Sequence, residues 1–180
     1  YDGIPLVCFT GQVATSVIGN DAFQEVDIVG ITRTISKYST TIRKRDDLGR
    51  AIKEAFYIAR TGKPGPVIVD LPSNIVSEIG PSEYPETVNI RGYKPSTGVH
   101  IGQIKKALEM LKNAKKPLFL IGGGVNISHA NEEFEKLINI TKVPVITTIM
   151  GKGAIPTKHP FFIGNVGMHG SYASNKAVNE

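Results

Sequence analysis

Pro66-Val67-Ile68-Val69-Asp70-Leu71-Pro72 is an apolar, β-branched run interrupted by a single acid. A strand of this composition has no solvated face, so it belongs in a sheet covered on both sides, as parallel strands of α/β folds are. The residues around it agree. Upstream, Asp46 or Asp47 can cap a helix carrying Leu48, Ile52, Ala55, Phe56 and Ala59 on one face and ending at Thr61-Gly62. Residues 5–10 read as a short buried strand broken by Gly11, and residues 15–21 as a polar turn. Ala22, Val26, Val29 and Ile31 mark a helix, and the Thr-rich stretch 37–42 a further strand.

Downstream the composition changes. Gly80-Pro81, Pro85, Gly92, Pro95 and Gly98 punctuate a stretch with little hydrophobic period, which reads as a linker over residues 77–99. A second α/β pattern follows. Ile101, Ile104, Leu108 and Leu111 mark a helical face, and residues 117–121 a strand ending at Gly122-Gly123-Gly124. Ser128 can cap a helix carrying Phe134, Leu137 and Ile138, and residues 144–149 form the next strand. The chain then passes Gly151, Gly153, Pro156 and Pro160 to residues 164–170 and stops in a helix. Strands alternating with helices of this length predict parallel βαβ units, with ligands at the carboxyl ends of the strands. Only two strands show in this half, and their open edges predict a truncated domain.

Bulk properties exclude several classes. The chain has 180 residues, of which 41% are hydrophobic and 21% charged, as in ordinary globular proteins. No apolar run approaches the roughly 20 residues of a membrane span, and no targeting segment is visible. The single cysteine, Cys8, excludes a disulfide framework and a cysteine-rich metal site. Lying in an apolar run it reads as a small core residue, and a lone thiol fits a reducing compartment. The net charge of +5 is spread out apart from Arg43-Lys44-Arg45 and Lys115-Lys116. Neither cluster is paired with stacking aromatics or a nucleic-acid-binding module, so both read as solvated helix ends.

Four segments carry candidate chemistry. Leu120-Ile121-Gly122-Gly123-Gly124-Val125 lets a phosphate approach backbone N–H groups without a Cβ in the way, or is simply a flexible turn. Thr147-Thr148-Ile149-Met150-Gly151-Lys152-Gly153 ends the next strand, beside it if the strands are neighbours, and Thr148 can hydrogen-bond a ligand. In Gly164-Asn165-Val166-Gly167-Met168-His169-Gly170, His169 reads as an acid, a base, a ligand contact or an ordinary loop histidine, the last favoured by chemistry alone. Gly11-Gln12-Val13 followed by Asp21-Ala22-Phe23-Gln24-Glu25 is a strand end, a loop and a helix start, with Asp21 placed to be an N-cap. A Phe–Gln pair there can pack against and hydrogen-bond a flat heterocycle. No second His or Cys stands at metal-ligand spacing.

Taken together and in order, these segments resemble the acetolactate synthase large-subunit family of thiamine-diphosphate enzymes. The resemblance rests on Thr10-Gly11-Gln12-Val13, Ile18-Gly19-Asn20-Asp21-Ala22-Phe23-Gln24-Glu25, Thr61-Gly62-Lys63-Pro64-Gly65-Pro66-Val67, the glycines 122–124, Thr148 to Gly153 and Val166 to Gly170. It covers essentially the whole chain. It implies that residues 1–76 are the C-terminal part of a pyrimidine-binding domain, 77–99 a linker, and 100–180 the start of a Rossmann-like central domain that carries FAD. It implies that Gln24 lies against thiamine diphosphate, Phe23 lines the active-site pocket at a subunit interface, and Lys37 lines the substrate channel. Lys63 is then a FAD contact, and Gly122, Gly123, Thr148, Ile149, Val166, Gly167, Met168 and His169 the FAD cradle.

The family joins two 2-keto acids, pyruvate with pyruvate or 2-ketobutyrate, with loss of CO2, on the way to branched-chain amino acids. The implied parent is a cytoplasmic homodimer or homotetramer with a possible regulatory small subunit, binding neither nucleic acid nor membrane. Its catalytic glutamate and Mg2+ site are expected outside this chain, so the chain alone is expected to be inactive. Several positions depart from the family: Lys63 where Arg is frequent, Ala14 where Pro is, Gly3 where a FAD-contacting Ser is, and Ser73 where some relatives place a pocket Lys. Lysine keeps the charge of arginine but not its planar fork. The alternatives are another thiamine-diphosphate carboligase or decarboxylase such as glyoxylate carboligase, and a non-catalytic nucleotide-binding module.

Overall fold

A computed structural model describes residues 2–179. The chain divides into two compact units, residues 1–97 and 98–180.

In the first unit, strands β1 (Leu6–Gln12), β2 (Tyr38–Thr41) and β3 (Pro66–Pro72) form a parallel sheet in the order β1-β3-β2. The apolar run is therefore the central strand. It pairs Cys8 with Ile68 on one side and Ser39 with the same residue on the other. Helices α1 (Ile28–Thr32), α2 (Leu48–Arg60) and α3 (Ser73–Ser77) complete the unit. Ala51, Ala55, Ile58 and Ala59 of α2 pack on Ile42, Val67, Val69 and Ile75, and small alanines let helix and sheet approach closely. Strand β1 continues through Gly11, where the sequence predicted a break.

Two helix starts differ from expectation. The helix expected from Ala22 begins only at Ile28: Glu25 binds the Ala22 N–H and holds the preceding residues in a turn, and Asp27 caps the helix start by accepting from the Gly30 N–H. Asp21 has φ 54°, a left-handed turn residue and no helix cap. Asp47 precedes α2 without a side-chain capping bond; its carboxylate instead pairs with Arg50 at 2.9 Å, across from Glu54 at 3.0 Å.

The other end of α2 is closed from outside. The Lys37 ammonium donates to the carbonyls of Ile58 and Thr61 and, at 2.8 Å, to the Tyr93 hydroxyl. The hydroxyl in turn donates to the Thr61 carbonyl at 2.9 Å. A cation suits the negative end of a helix, where the last carbonyls lack intrahelical donors. Residues 78–97 hold no helix or strand, yet Ile90 and Tyr93 pack on the core of this unit. The coil also presses on α2: a Cβ added to Gly49 would stand 1.8 Å from the Glu83 carbonyl oxygen.

In the second unit, strands β4 (Phe119–Ile121), β5 (Val145–Thr147) and β6 (Phe162–Asn165) are parallel in the order β4-β5-β6. Helix α4 (Ile101–Asn113) precedes them, α5 (Gly124–Ile127) and α6 (Asn131–Thr141) link β4 to β5, and α7 (Tyr172–Asn179) follows β6. Ile138 of α6 packs with Ile121, Val145, Ala154 and Ile155 in the core. The two strands expected here are thus three. Strand β6 escaped the pattern because it is four residues long and contains Gly164, at φ +143°, whose missing side chain makes room for the Ser171 and Ser174 hydroxyls. Ser128 does not cap the next helix. Its hydroxyl donates back to the Gly124 carbonyl at 2.8 Å and closes α5, while α6 starts at Asn131 with Glu132 and Glu133 in its first turn.

Lys37→Met should remove a charged donor from two helix-end carbonyls and destabilise the chain by about 2 kcal/mol, and Tyr93→Phe by about 1 kcal/mol, in urea unfolding. A Lys37→Met midpoint equal to wild type would show that water replaces the ammonium without cost.

Candidate functional site

The carboxyl ends of the first sheet converge on one acid. Asp70 is 1% exposed, and its carboxylate accepts from the Thr10 hydroxyl at 2.8 Å, the Thr41 hydroxyl at 3.1 Å and the Gln12 amide at 3.2 Å. These donors come from β1 and β2, on either side of β3. A buried carboxylate needs such donors, because its desolvation is otherwise uncompensated. Above it lies a cleft of about 520 Å3 whose walls include Gln12, Glu25, Val29, Thr41 and Arg43.

Gln12 couples this acid to the loop over residues 13–27. The same amide nitrogen that reaches Asp70 also donates to the Val26 carbonyl at 2.7 Å, while the amide oxygen accepts from the Val13 N–H at 2.9 Å. Within the loop, Glu25 accepts from the N–H groups of Gly19 and Ala22, the second at 2.9 Å, and closes residues 19–25 on themselves. At the start, Asn74 of α3 accepts from the Thr15 N–H at 2.9 Å. The hydrogen bonds from Gly19 and Ala22 hold the Glu25 carboxyl below its ordinary pKa. Within this frame Gln24 takes φ 65°, a left-handed conformation uncommon for a residue with a side chain. The result is presentation: Phe23 is 88% exposed, and Gln24 is exposed beside it.

In the second unit the expected cradle residues do come together. Gly122 follows β4, Thr148 follows β5 and Val166 follows β6, so all three segments leave adjacent parallel strands at the same end. The Thr148 N–H donates to the Ile121 carbonyl and the Val166 N–H to the Thr147 carbonyl, both at 2.9 Å. The Thr147 hydroxyl donates to Asn165 at 2.8 Å, joining β5 to β6. Where the loops touch, glycine is required at Gly151 and leaves little room to spare at Gly123. A Cβ at Gly151 would stand 2.4 Å from the Ile121 carbonyl oxygen, and one at Gly123 3.1 Å from the Met150 Cβ. The Thr148 hydroxyl accepts from the Gly151 N–H at 3.2 Å, so it caps the turn Ile149–Gly151. Gly167, at φ +119°, is gripped by Asn175, which accepts from its N–H at 2.9 Å and donates to its carbonyl at 3.0 Å. Ile149 and Met168 stand exposed on these loops, Met168 at 93%, and His169 is exposed next to it. Exposed apolar chains beside bare glycine backbone fit a flat, hydrogen-bonding ring system.

Lys37 and Lys63 line one concavity of about 520 Å3 in the first unit, together with Lys94, Tyr93, Pro64 and Pro95. Lys63 is exposed there. The Lys37 ammonium already serves the end of α2, and contact with a substrate would require it to give up one of those acceptors. Sequence reasoning missed Asp70 and Gln12 as organisers. The signal was an acid inside an otherwise apolar strand, in line with hydroxyl and amide residues on its neighbours. Among the described residues, no group of three or more His, Cys, Asp or Glu is arranged to hold a metal ion, and no helix is long and apolar enough to cross a membrane.

Comparison with known proteins adds to this geometry. Residues 104–180 match the family described as thiamine pyrophosphate enzyme, central domain. The chain is 43% identical over 180 residues to the acetolactate synthase isozyme 3 large subunit of Escherichia coli, covering 99% of this chain and 31% of that protein. It is 47% identical over 182 residues to a probable acetolactate synthase large subunit of Methanocaldococcus jannaschii, covering 99% of this chain and 31% of that protein. For the Haemophilus influenzae acetolactate synthase large subunit the identity is 44% over 181 residues, covering 99% of this chain and 32% of that protein. The chain thus spans about a third of the length of these relatives.

Because its partners lower the Glu25 pKa, the bond to the loop contributes fully above the pKa of the free side chain and is lost as pH falls through the folded value. The Gly19 and Ala22 amide resonances should shift together on acidification, with a midpoint below that of free glutamate; a midpoint at or above it would contradict the geometry. Asp70→Leu strands three donors and should cost about 3 kcal/mol in urea unfolding. Asp70→Asn should cost less, because the Thr10 hydroxyl can turn to accept from the new amide.

Proposed function

We propose that this chain is an internal piece of an acetolactate synthase large subunit, with residues 1–76 from its pyrimidine-binding domain, 77–99 a linker, and 100–180 the start of its FAD-binding central domain. The observation that carries the proposal is convergence. Residues far apart in sequence, Gly122-Gly123, Thr148-Ile149 and Val166 to His169, leave neighbouring parallel strands at one end. That is where open α/β sheets bind ligands. Identity of 43% or more over nearly the whole chain to several large subunits supports the same conclusion.

In this proposal the exposed ring of Phe23 lines the pocket and the Gln24 amide lies against thiamine diphosphate. When bound, that cofactor supplies the carbon nucleophile with which one 2-keto acid loses CO2 and joins a second. The protein's part is to orient and to exclude water. Ile149 and Met168 offer an apolar seat to the FAD ring, the glycines let it approach the backbone, and His169 adds a polar contact. Lys63 attracts an anionic portion of FAD by charge alone, since an ammonium lacks the fork of a guanidinium. Mg2+ is assigned no ligand in this chain. The longer protein is proposed to be a cytoplasmic homodimer or homotetramer, with a regulatory small subunit as a partner.

The full-length protein should form acetolactate from pyruvate only when thiamine diphosphate and Mg2+ are supplied, measured colorimetrically; consumption of glyoxylate in preference to pyruvate would favour a different carboligase. Flavin fluorescence should titrate with the same protein. Gly123→Val should weaken that binding at least about tenfold, because the new side chain pushes Met150 out of place. Unchanged flavin affinity would remove these loops from the cradle.

A further inference from the structure

Nothing in the resemblance accounts for the side chains that hold Phe23 and Gln24 in place. The loop carrying them is tied to the sheet and cross-linked within itself. Near its C-terminal end Gln12 bridges the buried Asp70 carboxylate and the Val26 carbonyl, at 3.2 and 2.7 Å. Within the loop, Glu25 accepts from both Gly19 and Ala22. Between the ties, Asp21 and Gln24 sit at φ 54° and 65° and Gly19 at +91°. A segment with three left-handed residues is not held by its own backbone preferences, so its shape depends on the ties.

We propose that Gln12 and Glu25 are positioning residues that fix the orientation of Phe23 and Gln24 at the carboxyl end of the first sheet. This rests on the function proposed above, in which those two side chains face the cofactor. The donor and acceptor chemistry is specific. Both contacts of the Gln12 nitrogen are to acceptors, so a glutamate there would set oxygen against oxygen at Asp70 and at Val26. Both contacts of Glu25 are to N–H groups, and a glutamine can serve only one of them with its oxygen. Neither side chain needs to touch substrate to matter, because misplacing a contacting group by a fraction of an ångström slows a reaction without weakening substrate binding.

The test uses the full-length protein with Gln12→Glu, Gln12→Leu and Glu25→Gln, each compared with wild type. Amide hydrogen exchange over residues 19–24 reads the loop directly. The kinetic constants with pyruvate read its consequence, and the thermal midpoint controls for folding. The expected result is exchange faster by on the order of tenfold, with kcat lower by about 10- to 100-fold and KM for pyruvate nearly unchanged. A purely structural role would lower the midpoint and leave kcat per folded molecule intact, which overturns the proposal. Exchange equal to wild type in all three variants overturns it as well. If wild-type protein forms no acetolactate, the proposed function fails. The exchange measurement still shows whether the ties hold the loop, so that failure is distinct from a failure of the ties.

Discussion

The Asp70 carboxylate is where three strands are joined. Hydrogen bonds along a parallel sheet run between backbones and say nothing about how the strands finish. Here the finish is set by side chains, with hydroxyls from β1 and β2 turned onto an acid of β3 and a glutamine laid across them. The acid is buried, so these donors are obligatory. One of them, Gln12, also reaches the loop that shows Phe23 and Gln24 to the outside. Core packing and the exposed candidate site are thereby connected through a single amide group.

The second sheet solves the same problem with different chemistry. Its strand ends are held by Thr147 on Asn165 and by N–H groups of the following loops on the carbonyls of the preceding strand. Space is saved by glycine. Gly151 lets consecutive loops touch at a distance no side chain allows, and Gly123 at one where Met150 would have to give way. Ile149, on one of those loops, and Met168, on the loop after β6, stand exposed. In both units, then, the interior of the strand ends is consumed by structural bonds and the candidate binding groups are presented outward.

The fold class and most strands were legible because their cause is local. A β-branched run with no polar period can only be a covered strand, and the apolar face of α2 repeats with the helical period. What escaped depends on partners distant in sequence. Strand β6 carries a glycine that only the serines of α7 explain. The late start of α1 follows from two carboxylates, Glu25 holding the Ala22 N–H in a turn and Asp27 capping the helix at Gly30. Ser128 satisfies the rules for a helix start but closes the preceding turn instead. Phe23 and Gln24 could be picked out from the motif, whereas Gln12 and Asp70 become visible only when β1 and β3 are set side by side. Lys37 shows a structural use that the sequence did not reveal: its ammonium holds the last carbonyls of α2 while the residue borders a concavity.

The left-handed backbone at Gln24 also bears on attempts to engineer a protein containing this chain. Asparagine and glycine adopt that conformation more readily than glutamine. A library screened for heat resistance alone would therefore drift toward those residues at position 24 and discard the longer amide. A library screened for turnover would resist the drift wherever that amide is used. The position is a site of conflict between robustness and activity, and the balance reached there under each screen reports how much the side chain is worth to the working protein.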